Sequence, residues 1–424
     1  MILAAGILIA LFFFFGAPLF TIFGAAALLG FVSGGIHPSA VIIELYRMAS
    51  ASTLVAIPLF TFAGYMMAES KTPERMVNLT QSLIGWMPGG VALVCLFACA
   101  FFTAFTGCSG VTIIALGGLL YPILLKRNYP ENFSLGLVTT CGSLGLLFPP
   151  SLPLILYGLI GQVDVDKLFL AGIVPGFLLI FLLGLYSFKV GLRSETGRSR
   201  PNLRGILKAI RDGIWIIPLP VIILVGIYGG YFTASEAAAV CSFYVFIVEI
   251  LIYRDLKLKD VPRIIKDSMV LVGGILIILG VSLGFTSFLI DARVPMILLE
   301  TVRQYITSPL MFLLILNILL LVVGCLMDIF SAIIVVVPLI TPIAQSFGVN
   351  PIHLGIIFLT NLEIGYLTPP VGLNLFISSY RFKKPVLQVA RFSLPFMLIL
   401  IAALMLITYV PSLSLGLLDY LKMH

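Results

Sequence analysis

The sequence predicts an all-α polytopic membrane protein built as an inverted repeat, with two re-entrant helical hairpins and two broken helices. Three observations carry this. Of 424 residues, 60% are hydrophobic and only 10% charged, whereas an ordinary soluble domain is about 25% charged. The apolar residues fall in long runs separated by short basic clusters. A Gly-x-Leu-x-Pro-Pro motif also occurs twice, from Gly145 to Pro150 and again 220 residues later from Gly365 to Pro370. Spans of about 20 apolar residues leave room for roughly ten crossings and no sizeable domain outside the membrane. Soluble enzymes, nucleic-acid binders and secreted scaffolds are thereby excluded.

The net charge of +7 does not point to nucleic acid, because the Lys and Arg sit between apolar runs rather than on one polar face. Cys95, Cys99, Cys108, Cys141, Cys241 and Cys325 are scattered, with no CxxC pair and no nearby His, so neither disulfides nor zinc are expected. Residues 1–32 are uncharged and lack a basic n-region, which reads as a retained span rather than a signal peptide.

Full crossings are expected near 2–30, 52–69, 132–163, 168–192, 214–232, 236–253, 268–290, 353–380 and 394–411. Two further runs, 89–125 and 308–345, are each apolar for about two short helices, with small or polar residues at mid-length around Thr106 to Gly110 and Gly324 to Asp328. Each reads as a hairpin that enters the membrane and returns. Residues 70–87 hold Lys71, Glu74, Arg75 and Trp86, the pattern of an amphipathic helix on the cytoplasmic surface. Trp86 and the Tyr residues near span ends read as interface anchors.

The basic clusters set the orientation. Lys189 to Arg211 and Arg254 to Lys266 are cytoplasmic by the positive-inside rule, with two spans between them. Carrying the parity onward to Arg381, Lys383, Lys384 and Arg391 requires that 308–345 not cross. Lys126 and Arg127 mark the exit of the first hairpin as cytoplasmic, whereas the exit of the second, at 343–349, has no cation. The hairpins therefore enter from opposite faces. A shift of 220 residues gives ten identities over the 38 positions 113–150, among them Pro122, Thr140, Gly145, Leu147, Pro149 and Pro150. Halves of opposite orientation make this an inverted-topology repeat, a recurring build of secondary transporters whose binding site lies between the repeats.

In each repeat a span is interrupted: Thr140 to Gly145 runs to Pro149-Pro150-Ser151, and Thr360 to Gly365 runs to Thr368-Pro369-Pro370. Paired prolines remove two donors and clash with the preceding turn. Unwound backbone at membrane depth must line protein or a cavity. Its carbonyls suit a cation and the next half-helix N-terminus an anion. Facing groups come from the tips: Thr106, Cys108, Ser109 and Thr112 in one, Asp328 and Ser331 in the other. Two sites, each from a tip and a break, would hold a hard cation such as sodium through oxygens, with an anionic substrate between them. The bland alternative is that these small residues only permit close packing. Glu236, after Thr233-Ala234-Ser235, reads as a helix cap. Asp328 is the stronger functional candidate, because a carboxylate at a tip is costly without a partner. Glu363 is open between a site and a scaffold contact. His37, His353 and His424 are placed too peripherally for a proton relay.

Gly226 to Ala237, the tip Phe105 to Thr112, Gly145 to Ser151, Ile364 to Asn374, and Met327-Asp328 before a Pro-containing helix closely resemble the large membrane subunit of TRAP transporters (tripartite ATP-independent periplasmic transporters). The resemblance covers nearly the whole chain. It implies a sodium-driven importer of organic acids in the bacterial inner membrane, such as a C4-dicarboxylate or sialic acid. Its implied partners are a small membrane subunit and a periplasmic substrate-binding protein. It also implies an elevator mechanism, in which a transport domain of both hairpins and both broken helices moves against a scaffold of the remaining spans. By position, the implied sodium ligands are Ser109, Gly110, Gly142 and Ser143 in one site, and Asp328, Asn361, Thr368 and Pro369 in the other. Candidate substrate contacts are Thr106, Cys108, Ser151, Ser331 and Asn374. The first tip reads Gly-Cys-Ser-Gly where many members have a second Ser, so Cys108 replaces a hydroxyl there. No four-helix N-terminal extension is present, so the small subunit is expected to be a separate chain.

The expected organisation is a first repeat over 1–193, a basic cytoplasmic loop over 194–213, and a second repeat with extra spans over 214–424. No cofactor beyond sodium as coupling ion, no catalytic residue and no enzymatic activity are expected, since no His/Asp, Ser/His or metal cluster is found. Two alternatives differ in testable ways: a stand-alone sodium/divalent-anion symporter needs no binding protein, and an ion channel would give sodium-independent, non-saturable flux.

Overall fold

A computed structural model describes residues 17–87, 89–193 and 203–421. The start of the first expected crossing, Arg198, Arg200 and His424 lie outside the described residues. The described chain is helical throughout. Helices α1 (Leu19–Ser33), α2 (Ser39–Ala49), α3 (Ala56–Glu69) and α4 (Thr72–Ile84) lead into the first hairpin. That hairpin is α5 (Gly90–Thr106) and α6 (Ser109–Lys126), the latter with a π-turn at Ile113–Gly117. The first broken helix follows as α7 (Glu131–Cys141), a tight turn over Leu144–Leu147, and α8 (Leu152–Gly161), with a bend of 45°.

Between the repeats come α9 (Val165–Arg193), α10 (Leu203–Gly213), α11 (Pro218–Tyr228), α12 (Ala234–Ile247, continued by a π-turn to Ile252), α13 (Val261–Asp291) and α14 (Val294–Tyr305). The second hairpin is α15 (Pro309–Leu326) and α16 (Ile329–Ser346); the second broken helix is α17 (Pro351–Gly365) and α18 (Leu373–Phe382). Helices α19 (Val386–Tyr409) and α20 (Ser412–Tyr420) close the described chain. Among the described residues eight helices are long and apolar enough to cross a membrane, or up to ten if each bent pair is one span.

Local sequence explains the element ends. Thr233 and Glu236 form a reciprocal capping box, Thr233 N donating to Glu236 Oε2 at 2.8 Å and Glu236 N to Thr233 Oγ1 at 3.3 Å, as expected for Glu236. Asn350 accepts from Ile352 N at 2.8 Å ahead of Pro351, starting α17. Gly107 ends α5 at φ +63°, where a Cβ would also strike the Leu152 side chain; glycine alone satisfies both conditions.

Three boundaries differ from the sequence reading. The helix runs past Gly324 to Leu326, so the second tip is only Met327-Asp328. Helix α17 runs unbroken through Thr360 to Gly365, and unwinding begins only after Tyr366, where Pro369 and Pro370 lack donors. The basic segment read as a loop is helical over Leu203–Gly213.

The two repeats interlock. Each first hairpin leg packs on the broken helix of its own repeat, α5 on α7 and the Leu144–Leu147 turn, α15 on α17. Each second leg packs on the far half of the other repeat's broken helix, α16 on α8 and α6 on α18. Gly145 and Gly365 occupy equivalent positions in this arrangement. A Cβ on Gly145 would overlap the Ala100 carbonyl of α5, and one on Gly365 would lie 2.5 Å from Gly324 Cα of α15. The repeated glycine is thus the point where broken helix and hairpin meet backbone to backbone.

Candidate functional site

The hairpin tips and helix breaks converge, and the first site is finished by the opposite repeat. At the first, Thr103 Oγ1 donates to the Gly142 carbonyl at 2.9 Å and is hydrogen-bonded to Thr112 Oγ1 at 2.7 Å. This joins both hairpin legs to the break. A Cβ on Gly142 would sit 3.2 Å from the Ser109 carbonyl, so Ser109 and Gly142 adjoin. Ser143 Oγ donates to Thr140 O at 3.4 Å. Helix α18 covers this site: Ile377 lies over Gly110, Asn374 Nδ2 donates to Thr139 O at 3.3 Å, and Thr139 Oγ1 donates to Ser378 Oγ at 2.9 Å. Arg381 reaches the Ile114 carbonyl in the π-turn of α6 at 3.1 Å. Thr106 is buried, its hydroxyl 3.5 Å from Cys108 O.

At the second site Asp328 caps α16. Its Oδ2 accepts from Phe330 N at 3.0 Å and Ser331 N at 3.1 Å, and its Oδ1 from Ser331 Oγ at 2.5 Å. The residue is exposed. The partner that a carboxylate at a tip requires is supplied locally, by two backbone N–H groups of its own helix N-terminus and the Ser331 hydroxyl. Ser331, expected at the substrate, has its hydroxyl committed to this cap. Tyr366 from the second break accepts Ile329 N at 2.8 Å, fixing tip to break. Thr368 Oγ1 donates to Ile364 O at 3.0 Å, with Met397 Sδ of α19 at 3.5 Å, and Pro369 is exposed.

Asn361 belongs to a different network. Its Nδ2 donates to Asn317 Oδ1 at 2.7 Å and Ile357 O at 2.8 Å. Asn317 Nδ2 in turn donates to Thr408 Oγ1 at 3.1 Å, while His353 lies 3.2 Å from Thr408 O and 3.1 Å from Ser414 Oγ. His353 is thus a buried structural residue. With its NH2 group held by Asn317, Asn361 presents Oδ1 without a hydrogen-bond partner. Asn317→Leu is expected to destabilise the fold by about 1–3 kcal/mol through the stranded Asn361 amide. Thermal denaturation measures that loss; wild-type stability would show the network to be dispensable.

The four elements leave buried polar atoms without hydrogen-bond partners: Ser109 Oγ, Ser151 Oγ, Asn361 Oδ1, Asn374 Oδ1 and both carboxylate oxygens of Glu363. Such atoms are uncommon in native interiors and each calls for an explanation. Ser109 and Asn361 come from the two expected sodium sets, and their hard oxygens fit that ion. Cys108 of the first tip lies within electrostatic reach of Asp328 of the second tip and of Tyr366. Sequence reasoning missed Thr103, Tyr366 and Asn317. Each sits in an apolar run, and only its partner in another element distinguishes it.

Apolar helices with paired hairpin tips and helix breaks, related by an internal repeat, define a polytopic membrane protein of the inverted-repeat transporter class. The chain belongs to the DctM family, the DctM component of tripartite ATP-independent periplasmic transporters, whose model matches residues 6–413. It is 36% identical over 401 residues to the C4-dicarboxylate TRAP transporter large permease protein of Pseudomonas aeruginosa, covering 94% of this chain and 93% of that one. It is 34% identical to the isethionate TRAP transporter permease protein DctMQ of Oleidesulfovibrio alaskensis, covering 95% of this chain and 64% of that one. It is also 30% identical to the ectoine TRAP transporter large permease protein of Halomonas elongata, over 95% of this chain and 96% of that one. Among solved structures, the YdaH transporter of Alcanivorax borkumensis shares the fold, with a TM-score of 0.64, 12% identity and coverage of 89% of this chain and 88% of that one. The chain is therefore a TRAP transporter large permease, a multi-pass protein of the bacterial inner membrane.

Proposed function

We propose that this permease imports an organic acid by sodium symport, taking its substrate from a periplasmic binding protein and working with a small membrane subunit. The transport unit is formed by α5 to α8 and α15 to α18, and it moves in elevator fashion against the other spans. One observation carries the reading: each hairpin is bonded to a break, the first site is closed by a half-helix of the other repeat, and the second hairpin packs on the half-helix of the first repeat. A unit interlocked in this way moves as one body. Sodium ions are carried at the two tip-and-break sites, where Ser109, Gly110, Gly142 and Ser143, and Asp328, Asn361, Thr368 and Pro369, provide the oxygens. The substrate lies between the tips, with the unpartnered Ser151 hydroxyl as a donor to a carboxylate and Asn374 Oδ1 as an acceptor for a hydroxyl or ammonium group of the solute. Relatives named for C4-dicarboxylates, isethionate and ectoine support a small polar solute and leave its identity to the binding protein.

The test is uptake of a labelled C4-dicarboxylate into proteoliposomes holding both membrane subunits. Uptake is expected only with the binding protein outside and an inward sodium gradient. Sodium-dependent uptake without the binding protein would instead establish a stand-alone symporter, and non-saturable, sodium-independent flux a channel.

A further inference from the structure

A cavity of about 840 Å³ lies between α4 and α10, away from the tips and breaks. Its wall carries Lys71, Arg75, Arg127, Lys208 and Arg211 against Glu74 and Asp212. Arg75 is already committed: its Nη2 is 3.1 Å from Asp255 Oδ1 and its guanidinium lies 3.7 Å from the Tyr253 ring centre. Among the described residues no ion pair engages Lys71, Lys208 or Arg211. Three cations with no acidic partner in a concave wall concentrate a phosphate-bearing anion.

Other features place this cavity at headgroup level. Trp86 lines it, Trp215 follows α10, and these are the chain's two tryptophans. They are 43% and 41% exposed, as befits interfacial anchors. Helix α10 has Ile206, Leu207 and Ile210 along one stripe and Arg204, Lys208 and Arg211 along another, the pattern of a helix lying in the membrane surface. Leu207 is 66% exposed. The opposite face of α4 borders a second, almost wholly apolar cleft of about 360 Å³, walled by Met76, Leu79, Phe97, Phe101 and Ile216 and reaching Pro149 of the first break. A soluble anion has no use for that cleft, whereas an acyl chain does.

We propose that this end of the permease binds one acidic phospholipid. The phosphodiester headgroup is held by Lys71, Lys208 and Arg211, and an acyl chain occupies the cleft on the other side of α4. The lipid would then tie the surface helices α4 and α10 to the groove that ends at the first helix break.

The test titrates the purified protein with phosphatidylglycerol, phosphatidylcholine or inorganic phosphate, reading bound lipid by native mass spectrometry and stability by thermal denaturation. The wild-type protein is expected to retain phosphatidylglycerol preferentially and to be stabilised by it. The Lys71→Gln, Lys208→Gln, Arg211→Gln triple variant should bind it on the order of 100-fold more weakly, at about fivefold per cation. Equal retention of the two lipids by the wild type would overturn the proposal, and that comparison stands even if the triple variant does not fold. Undiminished phosphatidylglycerol binding by a folded triple variant would overturn it too. So would equal stabilisation by inorganic phosphate, which would indicate a soluble-anion site, or a lipid-insensitive cavity closed by the small subunit.

Discussion

Asp328→Asn is expected to lower sodium-driven uptake by on the order of 100-fold while leaving the protein folded, because asparagine caps a helix about as well as aspartate but brings no charge. The distinction matters, since the structure gives this carboxylate a complete local role: Phe330 N, Ser331 N and Ser331 Oγ all donate to it. Asp328→Ala would confound the two roles, losing about 0.5–2 kcal/mol of capping along with the charge. The Asn variant separates them. Uptake in proteoliposomes and melting temperature are measured on the same preparation. Wild-type uptake by Asp328→Asn would reduce Asp328 to a helix cap and remove it from the proposed sodium site.

Gly365→Ala is expected to be strongly destabilising. The added carbon would lie 2.5 Å from Gly324 Cα and from the Gly324 carbonyl carbon. Those are backbone atoms of a packed helix and cannot rotate aside, so the cost falls at or above the upper end of the about 1–3 kcal/mol seen for overpacking. Gly145→Ala, which meets the Ala100 carbonyl in the first repeat, should behave alike. Gly273→Ala is the control: it lies within α13 with nothing within 4 Å of the new carbon, and should be neutral or stabilising by about 0.5–1 kcal/mol. Melting temperatures of the three variants in one detergent decide the matter. A Gly365→Ala protein as stable as the control would show that α15 and α17 are not locked backbone to backbone.

Which parts of the fold were legible beforehand follows from where each signal resides. Apolar runs, the Thr233-x-x-Glu236 cap, the glycine at the first tip and the paired prolines act on their own few residues, so the elements they specify were found with small shifts at their ends. The repeat gave more than its length suggested, because Gly145 and Gly365 mark the same contact in both halves. The sites were legible as regions and not as atoms. Thr368 and Ser331 carry the hydroxyls expected of ligands, yet those hydroxyls bond within their own elements. The unpaired acceptor of Asn361 depends on Asn317, 44 residues away in α15.

The sequence by itself determined that the chain is a membrane-embedded helical repeat, and where its helices must fail, since burial of apolar surface and the missing donor of proline are properties of single segments. Only the tertiary structure decided that α18 closes the first site and α8 packs on the second hairpin, that Tyr366 holds the second tip, and which polar atoms remain unpaired. Those outcomes depend on distances between segments far apart in the chain, set by close packing, and no segment carries them alone.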